Sequence, residues 1–105
     1  MSAPTFPTAF AADLPIEVTR VAAATQRPPA LACFEEAATR TAWRELPSWV
    51  VATADQMIHP DAQQDMAQRA GATITSVDAS HAVALSQPGV VADTIRRAIS
   101  VAVPA

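Results

Sequence analysis

Residues 46–81 read LPSWVVATADQMIHPDAQQDMAQRAGATITSVDASH, and this stretch decides the fold. Residues 48–54 (SWVVATA) run Trp49, Val50, Val51 and Ala52 without polar alternation, the pattern of a strand covered on both faces in a parallel sheet. Residues 73–77 (TITSV) are rich in β-branched side chains and form a second strand. Between them, Pro60 fits a first helical turn and Asp61 is an acid near the positive helix end. Ala62, Met66, Ala67 and Ala70 make an apolar stripe, and Gly71 is the stop signal. After the second strand, residues 78–81 form a loop. A last helix opens near Pro88–Gly89, with Val91, Ile95, Ala98 and Ala102 as its stripe and Ile99 beside it; Asp93, Arg96 and Arg97 are expected to face solvent. Strand, helix, strand, helix implies parallel strands joined by crossovers. Two such strands leave open hydrogen-bonding edges, so the sequence asks for more strands than it holds.

Upstream, the signals are weaker. Residues 1–12 read as an irregular arm. Asp13 is a candidate helix cap before Leu14 and Pro15, with Leu14, Val18, Val21 and Ala22 at helical spacing. Pro28 and Pro29 break that helix, a second is expected over residues 29–38 with Leu31 and Phe34 on one side, and residues 39–47 connect to the first strand. Residues 1–45 and 46–105 are thus two parts of one small unit, able to bury roughly 60–65% of its unfolded surface.

Composition excludes several classes. The net charge is −3 and the arginines are scattered apart from Arg96–Arg97, which argues against nucleic acid or an anionic membrane as the partner. With two glycines against nine prolines, no glycine-rich phosphate loop can be built. No run approaches the roughly 18 apolar residues of a membrane span, and residues 1–10 lack the basic start of a secretory signal, so a cytoplasmic protein is expected. The single cysteine, Cys33, reads as a small buried apolar residue. His59 reads as solvent-exposed, Trp43 and Trp49 as packing residues, Met57, Ile58 and Met66 as core or interface, and Glu35–Glu36 as a solvated face. His59, Asp61, Asp55 and His81 lack the spacing of metal ligands, so neither metal nor cofactor is expected.

In open α/β sheets, functional groups gather beyond the carboxyl ends of the strands. Asp55 follows the first strand and His81 the second. Adjacent parallel strands bring both to one rim, where a carboxylate can accept a hydrogen bond from imidazole Nδ1–H and fix the tautomer. Acid before base is the order that follows the serine in the α/β-hydrolase triad.

From Leu46 to about Ile99 the chain resembles the C-terminal end of α/β-hydrolases of the small-molecule esterase type. The resemblance is carried by a strand ending in an acid loop, a Pro60–Asp61 helix start, and a Ser80–His81 loop running to Ser86–Gln87–Pro88 before the last helix. Residues 6–45, with AFAADLP and AATQRPPAL, resemble the family's lid segment less closely. The resemblance implies Asp55 as triad acid and His81 as triad base, in a family that hydrolyses ester or related acyl bonds through an acyl-serine. The family's Gly-x-Ser-x-Gly elbow, oxyanion segment and early strands are missing from the sequence. The expectation is a partial hydrolase, inactive alone, taking a small-molecule ester only when complemented by an N-terminal half or by self-association. The other readings are a hydrolase with Ser80 or water as substitute nucleophile, and a non-catalytic interaction module.

Overall fold

A computed structural model describes residues 5–103; residues 1–4 of the expected arm, and residues 104–105, lie outside the described part. The chain runs α1 (Phe6–Ala9), α2 (Ile16–Ala24), α3 (Ala32–Glu35), a 3₁₀ turn (Ala42–Arg44), β1 (Trp49–Thr53), α4 (Pro60–Arg69), β2 (Thr73–Val77), α5 (Val83–Ser86) and α6 (Pro88–Ala102). The strands pair in parallel, Trp49 opposite Thr73 through Thr53 opposite Val77.

The two faces of this sheet are covered by different helices, because successive strand residues point to opposite sides. Trp49 and Val51 face Val91, Thr94, Ile95 and Ala98 of α6. Val50 faces Met66, Arg69 and Ala70 of α4. Polar bonds follow the same division. Arg97 reaches from α6 to the Thr75 hydroxyl (3.1 Å), and Gln64 from α4 to the Ser76 hydroxyl (3.3 Å). Arg97 is exposed, as expected, and its guanidinium also ties α6 to the sheet. The unalternating run at residues 49–52 is explained by this double cover, although only Ala52 and Thr53 of β1 are fully buried.

The boundaries of α4 follow from its punctuation. Pro60 occupies the first turn, and His59 caps it by accepting the Asp61 N–H on Nδ1 (3.2 Å). Gly71 takes φ +62°, a left-handed conformation that other residues adopt at a cost, and turns the chain into β2.

Elsewhere the structure departs from expectation. The arm contains a helical turn, α1, whose Phe6 is buried with Ala11 and Ala82, joined by Phe10, Leu14, Ala22 and Ala23. Asp13 is not the cap of α2: Pro15 holds that position and the helix starts at Ile16. The helix expected over residues 29–38 shrinks to the single turn Ala32–Glu35, with Leu31 and Phe34 exposed. A short helix needs a packing partner to be stable, and this one has no apolar surface against its intended face. Cys33 is exposed, not buried, for the same reason. Ile95, expected on the packed stripe of α6, and Ile99, expected beside it, are both more than half exposed, while Thr94 takes the buried position. Residues 83–86, where no element was expected, form the turn α5, and its last residue, Ser86, opens the Ser86–Gln87–Pro88 lead into the last helix.

The Cα radius of gyration is 15.6 Å, against about 13 Å for a self-contained domain of this length. The accessible surface is 7720 Å², against roughly 5,600 Å² for a folded chain of this mass. Much apolar surface is therefore uncovered, including Val21, Leu31, Phe34, Leu46, Met66, Leu85 and Val101. Among the described residues the sheet has two strands, so each strand has one unpaired side. No helix is long and apolar enough to cross a membrane among the described residues.

Candidate active site

The parallel pairing places the ends of β1 and β2 side by side, and the two loops beyond them meet. Asp55 Oδ2 lies 2.5 Å from His81 Nδ1. The Asp55 side chain is 3% exposed and that of His81 34%. The other carboxylate oxygen, Oδ1, accepts the backbone N–H of Met57 at 2.7 Å, a local turn that fixes the side-chain rotation. A carboxylate only accepts hydrogen bonds, so the proton of this contact belongs on Nδ1, and Nε2 is left with its lone pair free to take a proton.

The acid loop is held by a residue that the sequence reading passed over. Gln63, on α4, accepts the Thr53 N–H on Oε1 (2.9 Å) and donates from Nε2 to the Thr53 carbonyl (3.1 Å) and the Ile58 carbonyl (2.8 Å). One side chain thus closes both polar groups of the last β1 residue and pins the loop bearing Asp55. Nothing in the local pattern marks Gln63, since a glutamine inside a helix is ordinarily a solvated residue. Gln63→Ala leaves the part-buried backbone groups of Thr53 unpaired and is expected to destabilise the chain by about 1–3 kcal/mol, read as a lowered denaturation midpoint in urea.

The base loop is held from the other end of the chain. The Ser80 N–H donates to Asp13 Oδ2 (2.9 Å), and the Ala82 N–H donates to the Phe10 carbonyl (3.1 Å). The Phe10 ring lies 4.7 Å from the His81 ring, tilted by 59°, and stacks on Phe6 at 4.7 Å. Burial pushes the Asp13 carboxyl up, but hydrogen bonds from the Ser80 hydroxyl and backbone, with the Ser86 hydroxyl nearby, outweigh it and hold the group below its ordinary value. Ser86 Oγ is buried and makes no hydrogen bond of ordinary geometry among the described residues. A lowered folded value means the Asp13 contribution is present above the ordinary carboxylate range and is lost only as pH falls through the lowered one.

The remaining candidates fall outside this cluster. Ser80 is buried, and its Oγ accepts the Ala82 N–H (3.2 Å) and lies beside Asp13. His59 is exposed and sits 3.7 Å from the exposed Asp61. Trp43 carries the Arg44 guanidinium over its ring at 5.1 Å. Met57, Ile58 and Met66 are all exposed, which leaves them surface residues of this chain.

Helices on both faces of a parallel sheet, with a buried carboxylate bonded to an imidazole at the carboxyl rim, define an α/β protein with a carboxylate–imidazole pair. The model of the Alpha/beta hydrolase family matches residues 1–94, and the chain belongs to that family. The match takes in residues 1–45 as well as the strands and their loops. No curated protein and no solved structure gives a significant match.

Proposed function

We propose that this chain supplies the acid and base of an acyl-transfer triad, Asp55 and His81, to a serine carried on sequence that it does not itself contain. The observation supporting this reading is the buried Asp55–His81 hydrogen bond at the ends of adjacent parallel strands. In the complemented site the serine oxygen attacks an ester carbonyl while its proton passes to His81 Nε2. The tetrahedral intermediate collapses, His81 returns the proton to the leaving alkoxide, and an acyl-serine remains. Water then repeats the sequence, giving the acid and the free serine. Asp55 keeps the imidazole in the required tautomer throughout. The substrate is a small-molecule ester or related acyl compound, and residues 1–45 act as the lid-like part. The uncovered apolar surface and unpaired strand sides of this chain are consistent with a place for the complementing part.

Alone, the chain is inactive in this reading. Its sequence has no Gly-x-Ser-x-Gly elbow, and the buried Ser80 hydroxyl is engaged with Ala82 and Asp13. The test compares hydrolysis of p-nitrophenyl butyrate by the chain alone and by the chain co-expressed with the coding sequence that adjoins it upstream. No turnover above buffer is expected from the first, and turnover from the second, with a fluorophosphonate labelling a serine of the added part. Turnover by the chain alone that is lost in His81→Ala would instead establish a substitute nucleophile. A stable complex with the upstream product, but neither labelling nor turnover, would favour the interaction-module reading.

A further inference from the structure

The loop bearing His81 has no regular structure between the end of β2 and Val83, yet both of its backbone amides flanking the histidine are taken by one remote segment. Asp13 lies 67 residues before Ser80 and has left the capping position that its sequence context offers, so its carboxylate is committed to the loop. Phe10, three residues earlier, supplies both a carbonyl to the Ala82 N–H and a ring against the imidazole. Beneath them, Phe6, Ala11 and Ala82 form the buried apolar cluster that joins segment and loop.

We propose that Asp13 is a positioning residue for the base: its carboxylate oxygen holds the Ser80 N–H, and with Phe10 closing over the ring it fixes the His81 imidazole in line with Asp55. This rests on the reading of His81 as the base. The arrangement has a physical rationale. Asp55 constrains only Nδ1, about which the ring can still tip when the loop backbone moves. Anchoring the amides of residues 80 and 82 removes that freedom, and the Phe10 ring limits the remaining tilt. Asp13 touches neither substrate nor the imidazole, and its role is exerted through the loop.

The test uses the 105-residue chain, labelled with ¹⁵N, and its Asp13→Ala and Asp13→Asn variants. Two observables are read by NMR: exchange of the Ser80 amide, and the ring-nitrogen signals of the two histidines. His59, which caps α4 and has a side chain 74% exposed, is the internal reference. In Asp13→Ala the Ser80 amide is expected to exchange about tenfold faster, and the His81 Nδ1–H signal to broaden or vanish, with His59 unchanged. Asp13→Asn keeps an acceptor oxygen of the same shape and is expected to restore both. Unchanged Ser80 exchange and His81 signals in Asp13→Ala overturn the proposal, as does failure of Asn to restore them. If Asp13→Ala unfolds the chain, with both histidines collapsing together, Asp13 is a scaffold residue and the assignment is likewise overturned. A wild-type chain lacking Nδ1-protonated His81 would count against the acid–base reading itself, while Ser80 exchange would still decide whether Asp13 holds the loop.

Discussion

If the proposed complementation holds, His81→Ala is expected to lower kcat for p-nitrophenyl butyrate in the complemented site by about 10⁴–10⁶-fold, and Asp55→Asn by about 10⁴-fold, with KM little changed. The size follows from the geometry. Without the imidazole no group takes the serine proton as the oxygen attacks. With Asn at position 55, the side chain can still reach Nδ1 but can donate to it, which favours the proton on Nε2, where the serine needs a lone pair. The two residues act as one unit through the Asp55–His81 hydrogen bond, so the double substitution is expected to fall no further than His81→Ala alone. Steady-state kinetics on the four proteins checks this. Additive losses would mean that Asp55 and His81 contribute separately, and an active His81→Ala would remove His81 from the mechanism.

Phe6→Ala is expected to cost about 3–5 kcal/mol, the range for emptying a buried aromatic site. Phe6 is 4% exposed and is the largest side chain of the cluster formed with Ala11 and Ala82. The loss should be local. α1 and α2 pack on each other and meet the loop bearing His81 at Ala82, whereas β1, α4, β2 and α6 hold one another. Native-state hydrogen exchange therefore should show the Ala82 and Ser80 amides losing protection while the amides between β1 and β2 keep theirs. Simultaneous loss across all of them would show that the chain opens as one unit, and that residues 5–24 are integral to the sheet domain.

Much of the fold was legible because its signals are local. Residues 49–53 and 73–77 form strands where the apolar run and the β-branched cluster place them. The helix between them starts at Pro60, and the left-handed residue that ends it is Gly71, the only kind of residue that takes this conformation without penalty. Parallel pairing followed from element order, and the meeting of Asp55 and His81 followed from parallel pairing, since both sit at carboxyl ends.

What sequence reading missed has a common cause. Asp13 carries the local pattern of a helix cap, but its partner is 67 residues away. Gln63 looks like any polar helix residue until the end of β1 is laid beside it. The helix expected at residues 29–38, and the burial expected of Cys33, depended on a packing surface that the described chain does not provide. Sequence by itself determined the strands, their order and the two residues at their ends, because backbone preference, side-chain period and chain direction act between near neighbours. Only the tertiary structure decided what anchors those two residues, because a hydrogen bond closed across a long loop depends on where the chain returns, and no run of neighbouring residues encodes that position.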